Sequence, residues 1–318
     1  MKILYHPVFL EHATGSHPEN KNRLLAFPNL PITDILSGEK YLTLYHTHNY
    51  VRSIKEASKQ AAWLDPDTVI SKGSYYAAVA AVGATIMASQ SGDFALVRPP
   101  GHHAHPNRAS GFCLFNNIDI AAQRLVNQGK RVMIFDFDGH LGDGTEEFFY
   151  ESDNVFYWSI HEEHAFPGGG TIGDIGEGKG TGYTINVPIP AGTGDDVYKE
   201  IIQTLLPVAL QFAPDVVGVS AGFDGHHADP LLGLNLTVNI YYEIGLLLRK
   251  HFRQIFAVLE GGYNTIYLPQ CTYNFIAGIN GDKKTYSESE IKSSVDIRQY
   301  VGHSILQLKK ILSGYWKI

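Results

Sequence analysis

The chain alternates short apolar runs with longer segments of helical spacing, and this alternation restricts its fold more than any other feature. Eight runs rich in branched and aromatic residues predict strands. They cover residues 2–6, 41–46, 94–99, 131–138, 154–161, 183–189, 215–224 and 255–263. Apolar spacing predicts helices over 74–91, 119–127, 195–212 and 238–252. Such alternation is typical of a mainly parallel sheet with helices on both faces, so we predict a three-layer α/β fold.

The same pattern continues without interruption along the chain. The 318 residues contain no Pro/Ser-rich linker, repeat or low-complexity tract, which predicts a single domain over 1–318. With 44% hydrophobic residues, the chain can bury a large core. The Gly-rich stretch 168–182 is the one long irregular segment predicted. Irregular loops of this length in compact domains are usually functional.

Charge and targeting signals argue against several classes of protein. A net charge of −7 offers no positive surface for nucleic acid. No apolar run reaches the ~20 residues that a membrane crossing needs, and the N-terminus lacks the apolar core of a secretory signal. Cys113 and Cys271 form no Cys-x-x-Cys pair, and two free thiols suit a reducing compartment. We expect a cytoplasmic protein that binds neither membrane nor nucleic acid directly; the oligomeric state stays open.

Groups that bind metals or protons follow several of the predicted strands. The segment Asp136-Phe-Asp138-Gly-His140 comes directly after the apolar run 131–135. Other strand ends carry His102 and His103, Ser159 and His161, Asp224, and Glu260 to Tyr263. Parallel sheets bind their ligands just outside the carboxyl ends of the strands. We therefore expect these five segments to converge on one rim.

Three of these side chains form a candidate metal site. One imidazole and two carboxylates, from His140, Asp138 and Asp224, suit Zn²⁺ or Fe²⁺ with a position left for water. The alternative is structural, because Asp138 and His140 could cap the following helix while Asp224 lies in a turn. The presence of Asp224 after an independent strand favours the metal site.

The adjacent imidazoles of His102 and His103 are candidates for acid–base chemistry. Both can act together if they lie in a turn, which the preceding Pro-Pro-Gly favours. Such a pair needs carboxylates on its outer nitrogens, and Asp136 and Asp143 are the natural partners. The alternative is a polar loop with two solvated histidines.

Aromatic residues near these segments complete the candidate site. Tyr263 follows two glycines, which let the backbone approach a pocket, and its phenol could donate to a developing oxyanion. The alternative is a tyrosine packed on the rim of the sheet. Phe112 and Phe166 could form the walls of a narrow slot for an alkyl chain, or could be ordinary core residues.

These segments match the motifs of a known family and come in the same order. The chain resembles the zinc-dependent histone deacetylase family, which includes acetoin-utilisation proteins and acetylpolyamine amidohydrolases. The motifs run from residue 17 to 263: His17-Pro-Glu19 with Arg23, Pro99-Pro-Gly-His-His103, Gly111-Phe-Cys-Leu-Phe-Asn-Asn117, Asp136-x-Asp-x-His-x-Gly-Asp-Gly-Thr145, Ser159-x-His161, Phe166-Pro-Gly168, Ser220-Ala-Gly-Phe-Asp224, Asp229-Pro-Leu231 and Leu259-Glu-Gly-Gly-Tyr263.

The resemblance implies an arginase/deacetylase-like fold with an eight-stranded parallel sheet and assigns a role to each candidate. It implies zinc on Asp138, His140 and Asp224. His103, backed by Asp143, would move the proton, and His102, backed by Asp136, would act electrostatically, while Tyr263 would hold the oxyanion. The remaining implied sites are a substrate tunnel lined by Gly111, Phe112, Phe166 and Leu231, and a structural K⁺ held by Asp136, Asp138, His140 and Ser159, partly through backbone carbonyls.

The implied reaction is hydrolysis of an N-acetyl amide with release of acetate. The expected substrate is acetyl-lysine in proteins or a related small acetylated amine. Hydrolysis of acetylpolyamines is one alternative, and a non-catalytic metal-binding scaffold is another. Leu231 stands where polyamine-selective members can carry Glu, and Leu141 replaces the second His of the usual His-His-Gly. The family's substrate-gripping Asp has two possible counterparts, Asp65 and Asp67.

Overall fold

Seven parallel strands form the sheet in the computed structural model, which describes residues 1–61 and 64–318. The strands are β1 (Ile3–Leu4), β2 (Phe94–Ala95), β3 (Val132–Asp136), β4 (Val155–Glu162), β5 (Thr184–Ile189), β6 (Val216–Ala221) and β7 (Ile255–Leu259). They lie in the order β1-β2-β7-β6-β3-β4-β5. The helices are α1 (Asn22–Leu25), α2 (His48–Gln60), α3 (Ser74–Ser91), α4 (Asn117–Val126), α5 (Asp143–Phe149), α6 (Asp195–Phe212), α7 (Val238–His251), α8 (Tyr267–Asn280) and α9 (Val295–Leu312).

The strand order explains the three layers. From β3 the chain moves outward through β4 to β5, then returns to β6 on the other side of β3 and moves outward to β7. Parallel crossovers are right-handed, so opposite directions of travel place the connecting helices on opposite faces of the sheet. The predicted α/β fold is confirmed. The reversal between β3 and β6 is a topological switch point, where such sheets bind ligands.

The central strands are buried along their whole length and share one register. Every residue of β3, β6 and β7 is buried, which explains why they read as continuous apolar runs in the sequence. Asp136 at the end of β3 pairs with Ser159 of β4 and Ser220 of β6. Ala221 at the end of β6 pairs with Leu259 at the end of β7. The segments that follow these strands therefore begin at the same edge.

The predicted strand at 41–46 is wrong, and the sheet has seven strands in the described residues rather than eight. A 3₁₀ helix, Glu39–Leu44, covers most of this segment. Leu42 and Tyr45 are buried whereas Thr43 is exposed. A spacing of three matches a 3₁₀ helix, whereas a strand would bury alternate residues. The run was apolar enough for a strand, but its period was that of a helix.

The predicted helices agree closely with the structure. α3 and α6 have the predicted bounds. α4 begins two residues earlier than expected, because the Asn116 side chain accepts a hydrogen bond from the Asp119 N–H and caps the first turn. α7 ends one residue before the predicted end. Within the described ranges, no helix combines the length and the hydropathy that a bilayer crossing needs.

Candidate active site

The three candidate metal ligands meet at the switch point of the sheet. Their ligand atoms all lie within 4.8 Å of one another, and Asp138, His140 and Asp224 are all buried. His140 Nδ1 lies 3.0 Å from Asp224 Oδ2 and 3.2 Å from Asp138 Oδ1. β3 ends at Asp136, so a bend rather than a continued strand brings Asp138 and His140 together. In this bend the His140 N–H donates to Asp138 Oδ1 over 2.8 Å.

The chemistry of this group fits a divalent cation. Two buried carboxylates repel each other unless a positive charge lies between them. Burial lowers the pKa of His140, but Asp224 and Asp138 raise it to about 10, so the imidazole itself supplies this charge. A metal would replace the proton on Nδ1, because ligating imidazoles must be neutral. The remaining carboxylate oxygens are oriented by backbone N–H groups, from Gly139 to Asp224 Oδ1 and from Gly261 to Asp138 Oδ2, both over 2.7 Å.

Two glycines leave room for the carboxylates. A Cβ on Gly222 would overlap the Asp138 carboxylate. A Cβ on Gly261 would lie 2.6 Å from Asp138 Oδ2 and would also overlap the Asp224 carboxylate. Real Cβ atoms do not approach this closely, so any other residue at either position would displace the candidate ligands.

The adjacent histidines lie in a turn, as expected, and each contacts a carboxylate. Their ring centroids are 4.0 Å apart. His102 Nδ1 lies 3.1 Å from Asp136 Oδ2, and His103 Nδ1 lies 2.7 Å from Asp143 Oδ1. Burial and the neighbouring His102 lower the pKa of His103 to about 4. Burial also lowers the pKa of His102, but Asp136 and Asp138 raise it well above 6.5. The pair thus combines one neutral and one charged imidazole at neutral pH.

Tyr263 is half-buried beside these groups. Its backbone N–H donates to Asp229 Oδ2 over 2.6 Å, and the Arg23 guanidinium lies 5.0 Å from the centroid of its ring. Burial raises the pKa of the phenol well above 10, so the hydroxyl remains a donor at neutral pH. The ring contacts Phe112 edge-on at a centroid distance of 5.9 Å.

A cavity of about 430 Å³ opens beside the candidate metal group. Its lining includes every residue predicted for the tunnel, together with His103, His140 and Tyr263. The full set is His17, Pro18, Asp67, His103, Gly111, Phe112, His140, Glu162, Ala165, Phe166, Leu231, Leu232 and Tyr263. Phe166 is 48% exposed and Leu231 is 37% exposed, so neither is an ordinary core residue. Gly111 is packed so closely that a Cβ there would overlap the His103 ring.

Asp65 and Asp67, the two possible counterparts of the family's substrate-gripping Asp, have different surroundings in the structure. Asp65 Oδ1 accepts the N–H groups of Asp67 and Thr68 over 2.8 and 2.7 Å, so this carboxylate shapes its own turn. Asp67 lines the cavity. Of these two carboxylates, that of Asp67 is therefore the one at the cavity.

The residues implied for a structural cation lie next to the candidate metal ligands. Asp136 and Ser159 pair across β3 and β4, and Asp136 Oδ1 accepts the Asp138 N–H over 3.1 Å. Ser159 Oγ hydrogen-bonds His161 Nδ1 over 2.9 Å. Leu141 is buried, and a Cβ on Gly170 would lie 2.9 Å from its Cδ1. Leu141 thus packs against the Gly-rich segment, and its side chain has no polar atom that could bind a cation.

Several residues that support the site have no role predicted from the sequence. Glu260 Oε2 accepts the N–H groups of Gly101 and His102 over 2.6 and 3.2 Å and holds the turn of the two histidines. Arg23 donates from Nε to the carbonyl of Gly262 over 2.7 Å and from a terminal nitrogen to the carbonyl of Glu260 over 2.5 Å. Arg23 and Glu260 lie inside the recognised motifs, but their partners are too distant in sequence to be inferred.

Glu19 binds Arg23 and a second buried arginine, Arg98. The side chains of Glu19, Arg23 and Arg98 are fully buried. Glu19 Oε1 accepts Arg23 over 3.1 Å, and Oε2 accepts Arg98 over 2.7 Å. Burial raises the pKa of Glu19, but Arg98 and His12 lower it well below 4.5. The folded state therefore gains stability from this group above pH 4.5, and loses it as the pH falls through the lowered pKa.

We expect Glu19→Gln to destabilise the fold by about 3–5 kcal/mol, because two buried guanidinium groups would lose their counter-charge. Denaturant titration at pH 7 measures this change as a lower midpoint. Glu56→Gln is the matched control, since Glu56 forms an exposed pair with Lys59 and should cost less than about 1 kcal/mol. Equal midpoints for the two variants would contradict the role of Glu19.

Comparison with known proteins finds similarity along nearly the whole chain. A family model described as the histone deacetylase domain matches residues 17–279. A probable deacetylase of Archaeoglobus fulgidus is 36% identical, over 99% of this chain and 98% of the relative. Histone deacetylase 8 of Arabidopsis thaliana is 36% identical, over 86% of this chain and 81% of the relative. The crystal structure of the HDA15 HD domain matches with a TM-score of 0.89 at 30% identity, covering 99% of this chain and 94% of that one.

Proposed function

Because this chain belongs to the histone deacetylase family, we propose that it is a metal-dependent amidohydrolase that removes the acetyl group from acetyl-lysine or a related acetylated amine. Family membership supports hydrolytic deacetylation in general. One observation carries the finer proposal. The candidate ligand His140 lines the same cavity as His103, whose far nitrogen is held by Asp143, and as Tyr263.

Asp138, His140 and Asp224 would hold the cation. Two carboxylates and one imidazole suit Zn²⁺, with Fe²⁺ as the alternative. Bound there, the cation supplies Lewis-acid polarisation of the acetyl carbonyl and of the attacking water. By resemblance to the family, Asp136, Asp138, His140 and Ser159 would hold a structural K⁺ as well.

His103 would carry the proton through the reaction. Its Nδ1 contacts Asp143, which leaves Nε2 as the nitrogen that can serve substrate and water. With its pKa lowered to about 4, the ring is neutral at pH 7 and can accept the proton of the attacking water. The same nitrogen would then donate this proton to the departing amine. The charged ring of His102, held by Asp136, would add positive potential beside the reacting carbonyl.

Tyr263 would stabilise the negative charge that develops on the acetyl oxygen. Its hydroxyl stays protonated at neutral pH, and it can donate a hydrogen bond that strengthens as the oxyanion forms. Asp229 and Arg23 fix the backbone and the ring on either side, so the donor is held in place before substrate arrives.

The cavity would take the alkyl chain of the acylated amine. Phe112 and Phe166 offer two aromatic walls, and Gly111, which has no side chain, lets the rings of His103 and Phe166 pack directly against the backbone between them. Leu231 gives the mouth an apolar edge. This lining fits the four methylene groups of lysine, and Asp67 at the same cavity could accept hydrogen bonds from a peptide backbone.

Hydrolysis of acetylpolyamines is the second candidate function, and one observation favours it. Glu162 also lines the cavity, so a bound substrate would face two carboxylates, those of Glu162 and Asp67. These charges would attract the ammonium groups of a polyamine. We rank this second because Glu162 Oε2 is already engaged by the Gly233 N–H over 2.7 Å, and because Leu231 provides no further carboxylate.

A substrate panel on zinc-reconstituted protein tests both candidates. We expect kcat/KM for an acetyl-lysine peptide to exceed that for acetylspermidine and acetylputrescine by about tenfold, the discrimination that a modest difference in pocket contacts provides. A preference for the polyamines would replace the first candidate by the second. Bound zinc without turnover of any acyl amide would instead favour a non-catalytic scaffold.

A further inference from the structure

The carboxylate of Asp143 contacts two imidazoles rather than one. Oδ1 lies 2.7 Å from Nδ1 of His103, and Oδ2 lies 3.0 Å from Nε2 of His105. The other nitrogen of His105, Nδ1, lies 2.5 Å from Glu147 Oε2. The side chain of His105 is 6% exposed and that of Glu147 is 61% exposed. A continuous hydrogen-bonded row therefore links His103 in the cavity wall to a carboxylate at the surface.

Both nitrogens of His105 face carboxylates, which favours the doubly protonated ring. Only an imidazolium can donate to Asp143 and Glu147 at once. Arg108 opposes this state, because its terminal nitrogen lies 2.7 Å from the same Nε2 and can only donate. Burial lowers the pKa of His105, but the bonds to Asp143 and Glu147 raise it above 6.5. Two carboxylates thus outweigh one guanidinium.

We propose that His105 is a positioning residue for the deacetylation reaction: its Nε2–H holds the second oxygen of Asp143 and thereby fixes the carboxylate that orients His103. The proposal rests on the function proposed above and assigns a task to a residue outside the cavity. His105 does not line the cavity and acts only through Asp143.

The geometry explains why a second partner matters. A carboxylate with one partner can turn about its Cβ–Cγ bond, and Asp143 is 18% exposed, so water could compete for Oδ2. Turning would lengthen the bond from Oδ1 to His103 and let its ring rotate away from the cavity. Loss of the hydrogen-bonded partner behind a metal-ligating imidazole typically costs about 10–100-fold. By analogy, we expect a residue one step further out from His103 to act near the lower limit of this range.

Three variants separate this role from a purely structural one. His105→Leu removes both hydrogen bonds, His105→Gln can still donate to Asp143 from its amide, and Glu147→Gln leaves the contact with Asp143 intact. On an acetyl-lysine peptide, we expect His105→Leu to lower kcat about tenfold with KM within about twofold of the parent. His105→Gln should recover most of this loss, and Glu147→Gln should lose little. His303→Leu, on the exposed side of α9, is the matched control.

Kinetic outcomes decide against the proposal in two ways. An unchanged kcat for His105→Leu would overturn it. A second outcome would also overturn it: His105→Gln fails to recover the kcat lost in His105→Leu, and the zinc content and melting temperature of both variants fall. That pattern would indicate a structural role for His105. An inactive parent enzyme would refute the proposed function instead, so a second readout must not depend on turnover.

NMR of the imidazole rings supplies that readout. In ¹⁵N-labelled parent protein at pH 7, we expect both ring nitrogens of His105 to be protonated and the Nδ1–H of His103 to give a resolved, exchange-protected signal. This His103 signal should broaden or vanish in His105→Leu and return in His105→Gln. An unprotonated Nε2 on His105, or a His103 signal indifferent to both variants, would overturn the inference whether or not the enzyme is active.

Discussion

Tyr263→Phe is expected to lower kcat by about 10²–10³, because the reaction would lose one preformed donor to the developing oxyanion. KM and zinc content should stay close to the parent. The phenyl ring fits the same space and keeps its contacts with Phe112 and with the Arg23 guanidinium. A fluorogenic acetyl-lysine peptide measures the loss, and metal analysis of the same sample confirms that the site is intact.

The control for this variant removes a hydroxyl elsewhere. The exposed phenol of Tyr300, on α9, donates to Glu163 over 2.8 Å, so Tyr300→Phe should retain full turnover. Near-parental kcat for Tyr263→Phe would remove this residue from the proposed mechanism and leave oxyanion stabilisation to other groups.

The second large effect is the loss of metal in His140→Ala. Loss of a residue that only hydrogen-bonds a metal ligand weakens metal binding by up to about 100-fold. Removing one of the three protein ligands themselves should therefore weaken zinc binding by at least this factor. Activity should fall in parallel. Because this change also leaves two buried carboxylates without their imidazole, Asp224→Asn is the companion variant, since it keeps the size of the side chain. Metal content after dialysis, compared with circular dichroism, separates lost binding from lost folding.

A second group in the described residues could also hold a metal, and it provides the control. His226, His227 and Glu288 bring three ligand atoms within 4.8 Å. Hydrogen bonds account for this group, because the Ala228 N–H donates to His226 Nδ1 over 3.2 Å and leaves Nε2–H to donate to Glu288. We expect His227→Leu to keep its zinc. Equal zinc in His140→Ala and the parent would refute the ligand assignment.

The centre of the fold was predictable because its strands are apolar along nearly their whole length, and the error arose where an apolar run had the period of a helix. β3, β6 and β7 are buried at every residue, so composition alone reveals them. Leu42 and Tyr45 are spaced by three, and only attention to this period would have excluded a strand there. The family resemblance, confirmed by the comparisons, could not correct a local assignment of this kind.

The candidate site was predictable where its residues follow strands, and not where distant segments meet. Asp138, His140 and Asp224 stand at strand ends, which the sequence reveals. Arg23 and the Gly262 carbonyl it contacts are 239 positions apart, and no local pattern connects them. His105 lies two residues beyond His103, but its contact with Asp143 depends on how the loop folds back onto α5.

The glycines beside the candidate ligands also bear on how the enzyme could be redesigned. Gly222 and Gly261 form the wall behind Asp138 by having no side chain. Mutational libraries aimed at a wider range of acyl groups should therefore leave these positions untouched and vary the exposed Phe166 and Leu231. Substitutions at the mouth of the cavity can change which acyl group is accepted, whereas a Cβ at Gly222 or Gly261 would displace the candidate metal ligands.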